Sequence, residues 1–245
     1  MSRIKLRLVL LEFAIIPVKK LADGKSRLKR LLNQEQRKQL VIKMLELVVD
    51  ACLGAGLDSI YIIGSDSEIE SLAKQKGLSF IPDAWHELNE SLENTISMLC
   101  PKHAEGFVIF PCDLPLLLPE DVKTIGRLLE YNEVVISPSF GLKGTNALAM
   151  RGAGMIKMQF GASSFSKHMS SAKACGKKVA VYASLGVCLD VDLPRDLKML
   201  KKLLESGRKG IESLKNLKLL TLMRFLSSSK NVKNRKHHRY KQQQF

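Results

Sequence analysis

The chain has no Cys-x-x-Cys pair. Its five cysteines, Cys52, Cys100, Cys112, Cys175 and Cys188, are odd in number, widely spaced and without histidines at zinc-like intervals. That spacing excludes a zinc ribbon and a disulfide framework, and fits reduced thiols in a cytoplasmic protein. A membrane-spanning run is also missing. The longest apolar stretch, "LRLVLLEFAIIPV", is interrupted by Glu12 and Pro17 and is too short to cross a bilayer. No small-residue cleavage site follows it, so it reads as a buried first strand and not as a signal peptide. Nor does any internal repeat or Pro/Ser-rich linker break the first 197 residues. At 245 residues and 45% hydrophobic, the chain can bury a full core as one large domain, or as one domain with an appendage.

A further glycine is lacking where a P-loop would need one. "PVKKLADGKSRLKRLL" ends in the GKS of G-x-x-x-x-G-K-[ST], but the first glycine position holds Lys19, a bulky cation where bare backbone must wrap phosphates. What remains is Lys19, Lys20, Lys25 and Arg27 directly after an apolar run. A strand that ends in a basic loop is where open α/β sheets bind anions. A solvated basic turn is the plain alternative.

Acidic residues are scarce at the C-terminus. From Lys198 to Phe245 there are 14 Lys and Arg against Glu205 and Glu212, so +12 of the formal +15 charge lies there. The rest of the chain is near neutral, which removes most of the case for a nucleic-acid-binding domain. Residues 227–245 are polar and low in complexity, a composition expected to be disordered. This tail either solubilises the protein or makes weak polyanion contacts. Residues 205–226 contain "IESLKNLKLLTLMRFL", apolar enough for an additional helix.

Before residue 197, strand-like pieces alternate with amphipathic ones. The strand-like pieces are "LVLLEFAIIPV", "SIYIIGS", "LSFIP", "GFVIFP", "EVVISP", "NALAM", "KVAVYA" and "VCLDV". "NQEQRKQLVIKMLELVVDACLGAG" places Leu40, Met44, Leu47 and Val48 on one helical stripe. "DSEIESLAKQKG" is a second helix with Asp66 as N-cap and Gly77 as stop. "LPEDVKTIGRLLEYN" is another, opened by Pro119 and two acids. The alternation predicts an α/β domain with a mainly parallel sheet covered on both faces.

In such a sheet the chemistry collects at strand C-termini. "GFVIFPCDLP" presents Asp113 between Pro111 and Pro115, and "VCLDVDLPRDL" presents Asp190 and Asp192. Three carboxylates opposite a basic loop suggest a magnesium site that receives a phosphate chain, since magnesium needs few protein oxygens. Each aspartate alone fits a turn cap equally well. "GLKGTNALAM", with Gly141, Gly144, Thr145 and Asn146, suits a loop whose backbone closes on a ligand. "FGASSFSKHMSSAKACGKK" places Gly161, Ser163 and Ser164 before a helix carrying Lys167 and His168. That helix start can bind an anion or simply be capped by Ser163, and His168 by itself reads as a surface histidine.

Five motifs in this order, "IPVKKLADGKSRL", "FPCDLPLL", "GTNAL", "FGASSFSKH" and "LDVDLPRDL", span residues 16–197. Together they resemble the phospholactate guanylyltransferases of deazaflavin coenzyme F-420 biosynthesis. The resemblance implies a three-layer αβα nucleotidyltransferase fold of the glycosyltransferase-A and molybdopterin-guanylyltransferase type over residues 1–204. It implies transfer of GMP from GTP to 2-phospho-L-lactate, phosphoenolpyruvate or 3-phosphoglycerate, with release of pyrophosphate, in a cytoplasmic homodimer. By motif, Lys19, Lys25 and Arg27 would hold the triphosphate, and Asp113, Asp190 and Asp192 would bind Mg2+. Thr145, Gly161 and Ser164 would receive the acceptor's carboxylate and phosphate, and Asn89 would lie near the base.

Two departures stand out. Relatives usually carry Gly-Leu-Asn where this chain reads "ELN", with Glu87 in the glycine position. The family is also expected to end soon after the "DVDLPRDL" helix, which leaves the extension from about residue 205 outside it. Rival readings are a molybdopterin guanylyltransferase or sugar-phosphate nucleotidyltransferase, whose glycine-rich first loop is missing here, and a nucleic-acid binder acting through the tail.

Overall fold

The computed structural model of the protein describes residues 11–85, 87–100 and 106–205, with Leu222, Arg224 and Phe225 beyond them. The chain divides into two compact units. One comprises the described residues to Leu21 with Met44–Asp190, and the other comprises Ala22–Lys43 with the described residues from Val191 onward.

The first unit is built on a seven-stranded sheet. Its strands are β1 (Phe13–Pro17), β2 (Ser59–Gly64), β3 (Ser79–Pro82), β4 (Phe107–Ile109), β5 (Val134–Pro138), β6 (Thr145–Met150) and β7 (Val179–Val181). Their order is β3-β2-β1-β4-β6-β5-β7. β1 pairs in parallel with β2 and β4, while β6 runs antiparallel to both β4 and β5. The reversal follows from chain length. The turn from Pro138 to Thr145 is far shorter than the dozen or so residues a parallel crossover needs. β4, β5 and β6 are buried at every position, as expected of strands covered on both faces. The edge strands β3 and β7 are only four and three residues long and partly exposed, which limits unwanted pairing.

The core of this unit joins Phe13, Ile15, Phe107, Ile109, Ile136 and Leu148 across the central strands. The rings of Phe13 and Phe107 stack with centroids 5.4 Å apart, adding to the burial gain. The three helices expected from an apolar stripe, caps and stops form as α1 (Gln34–Gly54), α2 (Ser67–Gln75) and α4 (Pro119–Leu129), with α3 (Leu88–Leu99) and α5 (Ser164–Ala174) beside them in the chain order. α1 belongs to the second unit up to Lys43 and to the first from Met44. At its start Asn33 and Gln36 exchange side-chain-to-backbone bonds of 3.0 and 2.8 Å, a reciprocal cap of two orphan donors. Asp66 precedes α2 as expected but makes no capping bond. Its carboxylate accepts from Leu21 N–H at 3.0 Å instead.

One expected strand is absent. "VCLDV" forms part of a short helix, α6 (Leu185–Cys188), followed by irregular chain. β5 is already paired on one side with β6 and on the other with β7, so no edge remains for this segment there. Ser184 caps the turn by accepting from Val187 N–H at 3.1 Å. A Cβ at Gly186 would lie 2.4 Å from Asp121 Oδ2 and 2.7 Å from Leu116 O, so only glycine fits this approach. In the second unit, α7 (Pro194–Glu205) has Asp196 accepting from Leu193 N–H at 2.7 Å. Of the expected helical segment 205–226, Leu222, Arg224 and Phe225 are helical, and Lys43 Nζ lies 5.9 Å from the centre of the Phe225 ring. The tail 227–245 lies outside the described residues.

Asp121 is a hub of the first unit. Its carboxylate is 5% exposed and accepts from Leu118 N–H at 2.9 Å, Tyr182 O–H at 2.7 Å and Ser184 O–H at 2.6 Å. Removing it strands three donors, each costly when buried. Asp121→Ala should therefore lower unfolding stability by about 3 kcal/mol in a urea titration. A loss under about 0.5 kcal/mol, the level of an ordinary surface change, would show that water replaces the carboxylate.

Candidate active site

Asp113 lies in the turn four residues after β4. It is half-buried, with Oδ1 shielded from solvent. Asp190 is positioned by a neighbour on β6. The Asn146 side chain, 4% exposed, directs Nδ2 toward Val187 O, Cys188 O and Asp190 Oδ1 at 3.0, 3.1 and 3.2 Å. Two N–H groups shared among three acceptors tie the end of α6 to the sheet and aim one carboxylate oxygen just beyond it. The loop before β6 is shaped by Gly144, whose N–H donates to Ser139 Oγ at 2.7 Å. A Cβ there would meet the same oxygen at 2.8 Å. The glycine thus serves the hairpin's own closure.

Thr145 and the helix α5 are brought together by His168. The ring is fully buried, contrary to the surface position expected for it, because α5 turns this face onto the sheet. Its Nδ1 lies 2.9 Å from Thr145 Oγ1, and its Nε2 accepts from Gln159 N–H at 2.9 Å. Since a backbone N–H can only donate, Nε2 is bare and the neutral ring carries its proton on Nδ1. Burial, reinforced by the charge of Lys167, pushes the His168 pKa from 6.5 down to about 4. The ring is therefore neutral at physiological pH.

The segment ahead of α5 is held at three consecutive backbone N–H groups. Met158 donates to Glu93 Oε1 at 3.1 Å, Gln159 to His168, and Phe160 to Asn89 Oδ1 at 2.7 Å. Asn89 Nδ2 returns a bond to Phe160 O at 3.2 Å. Asn89, placed near a base by the resemblance, thus has both ends of its amide on the backbone preceding Gly161. Glu87 caps α3 with φ −113° and ψ 129°, an extended conformation open to any residue, so the departure from glycine carries no strain. Gly161 has φ +118°, where a side chain would be strained. Ser163 adopts a left-handed conformation with no side-chain capping bond. Ser164 is buried and Gly161 exposed.

In the second unit, Lys25 Nζ lies 3.3 Å from Asp192 Oδ1, and Arg27 Nη1 bonds Asp192 Oδ2. The Lys25 side chain is only 7% exposed, against 66% for Arg27. Arg37, on α1, donates from Nε to Gly24 O at 3.3 Å and from Nη1 to Leu32 O at 3.2 Å, clamping the loop. Lys25 has φ +53°, a sparsely populated conformation of a kind found at ligand sites. A short 3-10 turn, Ser26–Leu28, begins at the serine of the GKS, and α1 begins only at Gln34. Among the described residues, no α-helix starts from this loop as a P-loop requires. Lys19 and Lys20, in the first unit, are exposed.

Among the described residues, no three or more His, Cys, Asp or Glu side chains form a group able to hold a metal ion. Asp113, Asp190 and Asp192 are accordingly not a ready-made cage. Magnesium does not require one, because it binds through one or two carboxylates with substrate phosphates and water completing its octahedron.

The family model described as "Guanylyl transferase CofC like" matches residues 12–235. The chain belongs to this family. The match extends well past residue 205, so the C-terminal extension is largely inside the family and not an addition to it. The chain is 34% identical over 199 residues to a phosphoenolpyruvate guanylyltransferase of Thermobaculum terrenum, covering 81% of this chain and 86% of that one. It is 32% identical over 183 residues to a 2-phospho-L-lactate guanylyltransferase of Methanocaldococcus infernus, covering 75% and 81%. Among solved structures, a putative nucleotide-diphospho-sugar transferase from Desulfovibrio desulfuricans superposes with a TM-score of 0.67 at 16% identity, covering 89% of this chain and 98% of that one. A nucleotidyl transferase from Methanothermobacter superposes at 0.56 and 14%, covering 80% and 98%. The fold is the three-layer α/β nucleotidyltransferase fold.

In the sequence Glu93 drew no reading, His168 read as a surface histidine, and Asn146 entered only as part of the loop "GLKGTNALAM". Only Asn146 left a signal, a polar residue at the start of an otherwise apolar strand. The neutral, buried His168 has a pH consequence. Above about pH 6.5 its contribution to stability is complete. As pH falls from 6.5 toward about 4, the unfolded chain takes up a proton that the folded ring refuses. Roughly 3 kcal/mol is lost across that window. The denaturation midpoint of the wild type should therefore fall more steeply over it than that of His168→Gln. Parallel curves would mean that the folded ring titrates normally.

Proposed function

We propose that this protein transfers the guanylyl group of GTP to a phosphorylated three-carbon acid, 2-phospho-L-lactate or phosphoenolpyruvate, with 3-phosphoglycerate as a further candidate, in coenzyme F-420 biosynthesis. The observation that carries the reading is the family match over residues 12–235, supported by two guanylyltransferase relatives above 30% identity. The acceptor's phosphate oxygen is already a nucleophile at neutral pH, so no covalent enzyme intermediate is needed. It attacks the α-phosphorus of GTP, a new P–O bond forms, the bond to the β-phosphate breaks, and pyrophosphate leaves.

Each residue has a role in this scheme. Lys25 and Arg27, with Lys19, hold the triphosphate and neutralise charge on the leaving pyrophosphate. Thr145, Gly161 and Ser164 receive the acceptor's carboxylate and phosphate, and Asn89 fixes the backbone just before Gly161. Asp113 and Asp190 would hold Mg2+, while Asp192, bonded to Lys25 and Arg27, would order the basic loop. When bound, the ion supplies positive charge against the phosphate oxygens. A cytoplasmic homodimer is part of the same proposal. Among the described residues, no helix is long and apolar enough to cross a membrane.

The test is pyrophosphate release from GTP with each of the three acids. Asp113→Asn and Asp190→Asn should lower turnover roughly a hundredfold or more. Lys25→Ala and Arg27→Ala should weaken GTP use, while Lys20→Ala should match the wild type. Release with none of the acids, or near-normal turnover in both aspartate variants, would overturn the reading.

The six cations of residues 227–245 we assign to weak polyanion contact. A chain ending at Leu226 should keep its transfer rate and lose salt-sensitive binding to heparin. Impaired transfer at saturating substrate would place the tail in catalysis instead.

A further inference from the structure

Thr145 has one hydroxyl and one fixed neighbour for it. A threonine hydroxyl can rotate to several partners, and a binding site gains from having that rotation removed in advance. The buried ring of His168 lies 2.9 Å from Thr145 Oγ1 through Nδ1. Its other nitrogen is occupied by Gln159 N–H, also at 2.9 Å. The ring cannot tip away, because Phe160 packs edge-on against it with centroids 4.9 Å apart, and Asn89 holds the Phe160 backbone from both sides.

We propose that His168 is a positioning residue that locks the Thr145 hydroxyl as a hydrogen-bond donor to the acceptor acid. Gln159 N–H occupies Nε2, so the ring must donate from Nδ1. Thr145 Oγ1 must then accept, and its own proton is left to point elsewhere, toward an anionic oxygen. The substrate chemistry follows: the fixed hydroxyl proton recognises an acceptor of hydrogen bonds, as a carboxylate or phosphate oxygen is. The lowered pKa of His168 agrees with this, since an imidazolium would have to donate from Nε2 and would repel Gln159 N–H. This inference rests on the assignment of Thr145 to the acceptor site.

Two substitutions separate the two nitrogens. In His168→Asn the side-chain amide stands near the position of Nδ1 and can still donate to Thr145. In His168→Gln the terminal amide reaches the position of Nε2 and serves Gln159, but Thr145 loses its fixed donor. His168→Gln should raise KM for the acid about tenfold, with kcat moving less than KM and KM for GTP little changed. His168→Asn should restore most of that loss. Thr145→Val should raise the same KM, and His168→Gln in that background should add almost nothing. Should Thr145→Val raise KM while His168→Gln leaves it unchanged, His168 is purely structural and the inference falls, with the acceptor site intact. An unchanged KM in Thr145→Val would instead remove the acceptor site itself. If neither histidine variant folds, long-range nitrogen–proton NMR on the wild type decides. The inference requires a protonated Nδ1 and a bare Nε2 near neutral pH, and the opposite tautomer overturns it.

Discussion

Covering a sheet on both faces leaves its interior no place for polar chemistry. β4, β5 and β6 are buried at every position, and their backbone groups are satisfied within the ladder. Reactive side chains are therefore pushed to the ends of the strands, and the loops there must be held by something other than a ladder. Much of what distinguishes this protein follows from how those loops are held.

They are held chiefly by side chains bonding to backbone. Glu93, His168 and Asn89 take three successive N–H groups of the segment before α5. Asn146 takes two carbonyls at the end of α6 and the Asp190 carboxylate beyond it. Asp121 gathers the start of α4 with Tyr182 and Ser184. Each bond is worth only about 1 kcal/mol in net terms, but losing a buried one costs more. Loops fixed in this way can present ligand-binding groups without ordering them at the moment of binding. Two buried thiols play no comparable part: burial pushes Cys52 up to about 12 and Cys100 up to about 11, which leaves both un-ionised at neutral pH.

The basic loop follows a different rule. Lys25 and Arg27 share one carboxylate, Asp192, and the loop is braced by Arg37 through its carbonyls. These cations stand on a loop whose backbone is already set, including the left-handed Lys25. Such a loop suits polyphosphate, because the cations need not be gathered when the anion arrives.

The sequence by itself determined the class of fold, most of the strands and the family. Those rest on local facts: apolar period, turn residues, and motifs whose residue types and order are read directly along the chain. "FPCDLPLL" and "GTNAL" could be placed at strand boundaries because Pro, Asp and Gly act on their immediate neighbours. Tertiary structure alone decided the rest. "VCLDV" has the composition of a strand, yet no free edge of β5 was left to receive it, and that depends on where β6 and β7 pair. His168 looked like a surface residue because nothing adjacent to it in the chain signals burial. Its partners, Thr145 and Gln159, lie 23 and 9 residues away, and only folding brings them to one ring. Asn89 and Phe160 are 71 residues apart. Periodicity reports which face of an element is apolar, whereas a hydrogen bond between distant polar groups exists only once the chain has closed around it.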